Sequence, residues 1–347
     1  MKKLSHPFFS IFAASVFFTV AVGMPAPAQA YASLPISARS AVLLDGNSQG
    51  LIYSKNSRLE RAPASTTKIL TSLVAVEMLS LDSIVTIPAF AESVQPSKIH
   101  LRRGERYYVR DLIRAILMNS ANDAAEVIAV AAAGSKAAFA AKMNAKARAI
   151  GCKNSRFVNP SGLPDSRQHS TAYDMALIMR QVQNYPFIEN AMKSKTGVMY
   201  SLDGRKISLR NHNRMLWREN REVVGKTGWT RSAKHCFVGH IGAGNRKTYV
   251  SMLGSNGLWR DLKILVDYSY GTSYKAPKRA LKLKARREDT REVQQALKKA
   301  GYYKGKVDGI FGPATAKAVK RFQKAKGLKS DGIVGRNTLA KLTPYAG

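Results

Sequence analysis

Three short segments of the 347-residue chain hold the residue types that acyl transfer needs. The first is Ser65-Thr66-Thr67-Lys68. Three residues is close to one helical turn, so at a helix start Ser65 and Lys68 share a face. A serine hydroxyl is a poor nucleophile until a neighbour takes its proton, and a partly desolvated lysine amine can do so. The helix N-terminus adds a backbone N–H and positive potential for a developing oxyanion. Taken alone the tetrad is weak, because a serine at a helix start is usually a cap. Ser120-Ala121-Asn122 lies between two helical stretches, where a turn projects both side chains. Its hydroxyl could relay a proton to a leaving amine and its amide could orient a peptide group, although two caps at a helix–helix turn would read the same way. Lys226-Thr227-Gly228 follows Val223-Val224 and precedes Trp229-Thr230, which reads as an edge strand. Lysine and threonine there suit a terminal carboxylate, and Gly228 lets another backbone approach closely. Lys195-Thr196-Gly197 has the same letters but lacks the glycine before and the Trp-Thr after, and is expected only to enter a strand.

Positioning these segments requires an α+β framework. Apolar Ala41–Leu44, a turn at Asp45-Gly46-Asn47 and Leu51–Tyr53 open it as strands. Ile69, Leu70, Leu73, Val76 and Leu79 recur at helical spacing after Lys68. Further helical stretches are expected at about 109–119, 122–132, 135–150 and 172–182. Strand patterns return at 198–201, 206–209, 223–224, 236–241 and 248–253. Strands at both ends with helices between predict a sheet that joins the N- and C-terminal parts. Residues 31–270 are read as one domain, the Gly-, Pro- and Lys-rich stretch 271–287 as a solvated basic linker, and 288–347 as a small helical module. That module repeats itself: Asp308-Gly309-Ile310-Phe311-Gly312-Pro313-Ala314-Thr315 matches Asp331-Gly332-Ile333-Val334-Gly335-Arg336-Asn337-Thr338. Each Asp-Gly makes a turn, each threonine lies near a helix start, and Val293, Leu297, Val319, Phe322 and Leu339 would fill the core between three short helices. The acidic alternation of an EF-hand loop is missing.

Composition bounds the partners. Lys plus Arg number 56 against 22 acidic residues, a formal charge of +34, so anionic partners are expected. Lys2 and Lys3, an apolar run from Phe8 to Gly23, and Ala28-Gln29-Ala30 read as a secretory signal peptide spanning 1–30. An uncleaved anchor is the competing reading of the same run. Export to the periplasm or cell wall makes nucleic acid an improbable partner and favours anionic wall polymer. Residues 286–347 alone carry 15 basic and 5 acidic residues. His235 and His240 are five apart, hence on opposite faces of a regular strand, and no zinc-protease pattern is present. Cys236 reads as a packed thiol; whether it pairs with Cys152 is open.

The ordered set Ser-x-x-Lys, Ser-x-Asn and Lys-Thr-Gly resembles that of penicillin-binding proteins and serine β-lactamases. With PASTTKILTSL (63–73), MNSANDAAEVIA (118–129), FVNPSGLPD (157–165), NHNRML (211–216) and GKTGWT (225–230), residues 35–270 resemble the serine D-alanyl-D-alanine carboxypeptidases of the low-molecular-mass penicillin-binding group. Residues 301–342 resemble the three-helix peptidoglycan-binding domain. The resemblance implies a β-lactamase/transpeptidase-like fold, an antiparallel sheet with flanking helices and a helical subdomain. It implies that Ser65 becomes an acyl-enzyme, that Lys68 is the general base, and that Ser120 and Asn122 handle proton transfer and substrate orientation. Lys226 would support the electrostatics and Thr227 hold the terminal carboxylate, with Gly228, Trp229 and Thr230 along the substrate strand. The N–H groups of Ser65 and Trp229 would form the oxyanion hole. No metal and no cofactor is implied. Peptidoglycan would be both substrate and anchor, β-lactam antibiotics would be covalent inhibitors, and no stable membrane anchor would remain after leader cleavage. A serine β-lactamase or a DD-endopeptidase on the same scaffold are the alternatives. Against the first, the 157–165 loop has no glutamate to activate a deacylating water, and Asp165 is its only acid. Tyr173 stands where many relatives carry arginine beside the equivalent of Asp174. The C-terminal sheet domain and amphipathic anchor of many relatives are expected to be absent, and the wall-binding module is read as their replacement.

Overall fold

The computed structural model describes residues 34–48, 50–242, 247–271, 288–342 and 345. The expected leader and all but the first residue of the expected linker lie outside them.

Strands β1 (Ser40–Asp45) and β2 (Leu51–Lys55) form the expected opening hairpin. A single 3-10 turn, Ala64–Thr67, leads into α1 (Lys68–Met78). A short ribbon, β3 (Ile84–Thr86) with β4 (Arg106–Tyr108), precedes α2 (Val109–Met118), α3 (Asn122–Ala133) and α4 (Lys136–Ile150). Next come α5 (Ala172–Gln181), α6 (Pro186–Lys193) and a second ribbon, β5 (Thr196–Tyr200) with β6 (Lys206–Arg210). The one-turn α7 (Met215–Arg218) leads to β7 (Val223–Thr230), β8 (Lys234–Ile241), β9 (Thr248–Ser255) and α8 (Leu258–Ser269).

The main sheet is antiparallel with order β2-β1-β9-β8-β7, so the last strand pairs with the first and the two chain ends are sewn together. All eight residues of β9 are buried. A strand buried on both faces needs a cover on each, and both α5 and α8 pack against β8 and β9. Buried Asp261 of α8 ties the entry to this sheet by accepting from Ser37 Oγ at 2.7 Å, Ala38 N at 2.8 Å and Ser255 Oγ at 2.8 Å. β7 forms one edge of the sheet, as expected for the Lys226 segment.

The helical layer surrounds α1, whose Ile69, Leu70, Leu73 and Val74 are buried with Leu112, Ile116, Ile128, Phe139 and Met143. Arg58 lies over Tyr173, its Cζ 4.0 Å from the ring centroid, a cation–π contact. Asp174 accepts from Asn154 N at 2.8 Å and Ser155 Oγ at 2.7 Å.

Three helices, α9 (Glu288–Lys299), α10 (Pro313–Ala325) and α11 (Arg336–Leu342), enclose a separate apolar cluster. Val293, Leu297, Val319 and Phe322 are in it as expected, together with Phe311, Tyr303 and Val334, while the side chain of Leu339 lies outside the described residues. The repeat has a structural purpose. Gln294 Nε2 lies within hydrogen-bond reach of Asp308 Oδ1 (2.9 Å), Ile310 O (3.1 Å) and Thr315 Oγ1 (3.1 Å), and its Oε1 accepts from Gly309 N (2.9 Å). Gln323 does the same with Asp331 (2.9 Å), Ile333 O (3.0 Å), Thr338 (3.0 Å) and Gly332 N (2.9 Å). Each buried amide thus clasps one Asp-Gly turn to the start of the following helix. Replacing Gln294 by alanine would leave the buried Gly309 N–H and Thr315 hydroxyl without this partner, a cost of about 2–4 kcal/mol. Amide exchange across 288–342 in the full chain is expected to accelerate in Gln294→Ala, with exchange in the main sheet unchanged.

Candidate active site

The turn Ala64–Thr67 presents Ser65 at the mouth of α1. Ala64 has φ of +48°, a left-handed conformation that costs a non-glycine residue about 1 kcal/mol and persists where surroundings enforce it. The enforcing neighbour is Gly162, itself at φ +78°, where a Cβ would lie 2.0 Å from the Ala64 carbonyl oxygen. Thr66 Oγ1 donates to Pro63 O at 2.6 Å and fastens the turn from inside.

One turn on, Lys68 is fully buried. Its Nζ reaches Ser65 Oγ at 3.1 Å, Asn122 Oδ1 at 2.6 Å and the Ser161 carbonyl at 2.5 Å. The amine therefore sits between the first two motifs. Burial pushes its pKa well below the ordinary lysine value, the neighbouring Lys226 pushes the same way, and Glu126 and Asp123 oppose them. Asn122 opens α3, and its Nδ2 donates to Gln95 O at 3.0 Å, which fixes the amide so that its oxygen faces the lysine. Ser120 precedes it in the turn after α2, at φ +59° and 5% exposed, with its side chain on the groove.

The third motif arrives on β7. Lys226 is 1% exposed, and desolvation brings it down to about 7. Its Nζ donates to Thr227 O at 3.0 Å. Gly228 faces the Ser65 turn so closely that a Cβ would lie 3.0 Å from Ser65 N and 3.1 Å from Thr66 N. Asn213 Nδ2 bonds Val223 O at 2.8 Å, and Asn211 Nδ2 bonds Met192 O at 3.0 Å, so the Asn-His-Asn segment braces β7 and α6. His212 is open to solvent at the groove yet has protein packed around it at longer range. That desolvation, with Lys226 and Lys68 nearby, takes its imidazole down to about 4. The copy at Lys195-Thr196-Gly197 enters β5 and does not line the groove.

Ser65, Ser120, Asn122, Thr227, Gly228, Trp229 and Thr230 share one groove of about 1080 Å³, with Lys68 and Lys226 buried beneath it. Sequence reasoning missed the support beneath the lysine. Ser161 supplies its carbonyl to Lys68 while its hydroxyl donates to Glu126 Oε1 at 3.1 Å. Asn159 Oδ1 accepts from Gly162 N at 2.8 Å, and Thr71 Oγ1 donates to Pro160 O at 2.6 Å. Asp123 accepts from Ile99 N at 3.1 Å and Leu101 N at 3.2 Å. Two acids in the apolar helix α3 were the available signal. Asp165 is held by Arg167 through contacts of 3.0 and 2.8 Å, which keep its carboxyl at about 2, and it lies outside the groove lining.

Away from the groove, Cys152 and Cys236 are both buried free thiols. Burial pushes Cys236 up to about 12. His240 meets Glu189 at 3.2 Å, with Glu222 adjacent, but the ammonium groups of Lys247 (2.8 Å) and Lys193 (3.1 Å) already face Glu189. Among the described residues no single helix is long and apolar enough to cross a membrane.

The D-alanyl-D-alanine carboxypeptidase family matches residues 26–256, and a peptidoglycan-binding domain family matches 286–342. The chain is 34% identical over 224 residues to the D-alanyl-D-alanine carboxypeptidase DacF of Bacillus subtilis, covering 63% of this chain and 58% of that one. It is 29% identical to DacB2 of Mycobacterium tuberculosis, covering 72% and 89%. It is also 33% identical to a D-alanyl-D-alanine endopeptidase of Pseudomonas aeruginosa, covering 63% and 73%. The match thus spans little more than half of the Bacillus relative. Among solved structures, the Streptomyces K15 DD-transpeptidase superposes with a TM-score of 0.64 at 25% identity, over 68% of this chain and 98% of that one. A D-alanyl-D-alanine carboxypeptidase of M. tuberculosis superposes with 0.64 at 27%, over 73% and 97%. The α+β architecture, the convergent Ser-Lys-Asn-Lys geometry and the family match agree: this chain belongs to the D-alanyl-D-alanine carboxypeptidase family and carries a peptidoglycan-binding domain at its C-terminal end.

Proposed function

We propose that the protein is an exported serine DD-carboxypeptidase that removes the terminal D-alanine from peptidoglycan stem pentapeptides, with residues 31–270 doing the chemistry and 288–347 holding the enzyme at the wall. The observation that carries this reading is Lys68 Nζ lying between Ser65 Oγ, at 3.1 Å, and Asn122 Oδ1, at 2.6 Å. Desolvation lowers the lysine's pKa, which raises the share of neutral amine able to take the serine's proton. Ser65 Oγ attacks the carbonyl between the two D-alanines and its proton passes to Lys68. The tetrahedral intermediate collapses, the C–N bond breaks, and the leaving amine takes a proton delivered through Ser120. Water then cleaves the ester, releasing the shortened peptide and restoring the hydroxyl. Thr227 holds the terminal carboxylate, Lys226 supports the electrostatics from beneath the groove, and the N–H groups of Ser65 and Trp229 receive the oxyanion.

The test is to incubate the mature protein with a pentapeptide ending in D-Ala-D-Ala and assay free D-alanine, then map the penicillin adduct by mass spectrometry. Folded protein that releases no D-alanine, or that carries its adduct elsewhere than Ser65, overturns the reading. The penicillin adduct should be long-lived, because Asp165 is tied to Arg167 and no carboxylate lines the groove among the described residues. Rapid nitrocefin turnover would instead support a β-lactamase. The endopeptidase relative favours a second reading, cleavage of D-Ala bonds in cross-links, and assay on cross-linked dimers separates the two.

The acid limb of acylation should report on Lys68. A base works only unprotonated, so the rate falls as pH falls through its pKa. Glu126 raises that pKa. Glu126→Gln keeps the shape and removes the charge, so the acid limb of penicillin acylation is expected to move to lower pH. A limb that stays in place would show that Glu126 does not act on the base.

A further inference from the structure

All three tryptophans of the chain, Trp217, Trp229 and Trp259, line the same groove as Ser65. Trp229 is 60% exposed and Trp217 41% exposed, large apolar surfaces left toward solvent where burial is the norm. Four arginines, Arg210, Arg214, Arg218 and Arg231, line it with them, and no aspartate or glutamate does among the described residues. Elsewhere arginines commonly meet acids: Arg106 with Asp203, Arg114 with Asp111, Arg205 with Glu105, Arg221 with Glu219 and Asp267. The four groove arginines make no ion pair among the described residues. Arg210 and Arg214 instead rest against indoles, with Cζ 5.6 Å from the Trp217 centroid and 5.9 Å from that of Trp259. Such stacking holds a guanidinium in place while leaving its in-plane N–H fork available. Arg214 and Arg218 are four apart around α7, so they stand on one face.

An unneutralised set of planar, bidentate donors on aromatic supports, continuous with the nucleophile, fits a ligand that brings its own carboxylates. The groups that Ser65, Thr227 and Gly228 engage account only for the peptide's end. We propose that this Arg–Trp wall is a specificity site for free carboxylates upstream of the scissile bond, so that the enzyme selects acidic stem peptides over those whose carboxylates are amidated. Arg214 and Arg218 are the main readers, and the tryptophans cover the intervening aliphatic stretch. The inference rests on the DD-peptidase reading and names the substrate class of the same site.

The experiment compares two synthetic pentapeptides ending in D-Ala-D-Ala, identical except that the carboxylates upstream of the scissile bond are free in one and carboxamides in the other. The wild-type protein is expected to favour the acidic peptide in kcat/KM by roughly tenfold, the factor that two exposed charge pairs of ordinary strength supply. The preference should shrink as salt rises, and in the double variant Arg214→Gln/Arg218→Gln the ratio should fall toward one. Equal kcat/KM for the two peptides in the wild type overturns the proposal, as does a preference that neither salt nor the double variant diminishes. The salt titration needs no variant and decides the matter if the double variant does not fold. Penicillin acylation of the wild type separates the levels. A protein that acylates at Ser65 and cleaves both peptides equally loses only the carboxylate reading, whereas one that neither acylates nor releases D-alanine loses the reaction itself.

Discussion

Lys68→Met is expected to make the protein almost as inert toward penicillin as Ser65→Ala, with no adduct in the serine variant and acylation slowed by about 10³-fold or more in the lysine variant. The reason lies in how Ser65 is partnered. Lys68 is the one side chain within hydrogen-bond distance of its hydroxyl among the described residues, at 3.1 Å, and is fully buried. Water cannot easily replace a base in that position. Methionine fills the space of the alkyl stem but leaves Asn122 Oδ1 and the Ser161 carbonyl without their donor, so some loss of stability should accompany the loss of rate. Stopped-flow acylation with a fluorescent penicillin, with a denaturation curve for each variant, separates the two. A lysine variant that acylates within tenfold of the wild type would remove Lys68 from the role of base.

Gly228→Ala is the second large effect, expected to cut acylation roughly tenfold to a hundredfold while the fold persists. The added methyl would sit 3.0 Å from Ser65 N and 3.1 Å from both Thr66 N and the Ala64 methyl. Backbone and a packed methyl offer little give, so either β7 or the Ser65 turn must retreat by some tenths of an ångström. Reactions that depend on donors aimed at a developing oxyanion are sensitive to shifts of this size. Acylation kinetics at saturating penicillin measure the effect, and a rate equal to wild type would show that the strand and turn are not held as closely as the geometry implies.

The convergence of Ser65, Lys68 and Asn122 was legible because these residues come in short ordered clusters whose local spacing already implies shared faces, as with Ser65 and Lys68. The sheet that joins the two ends was legible from the strand patterns flanking the helices, and the module's core from its helical spacing. Other features hid in tertiary structure. The role of Ser161 runs through a backbone carbonyl, which no side-chain pattern reveals. α6 and α8 were overlooked: α6 is only eight residues behind Pro186, and α8 interleaves Arg260, Asp261 and Lys263 with its apolar positions, its buried acid serving the Ser37 segment. The Arg–Trp wall draws on residues from 210 to 259 that no linear motif unites.

Since every indole of the polypeptide borders one cleft, intrinsic emission becomes a local gauge rather than a global average. Iodide, drawn by the neighbouring guanidinium groups, should quench an empty cleft strongly. A seated peptide or an antibiotic adduct should shield it, giving a label-free optical titration of occupancy in the unaltered polypeptide.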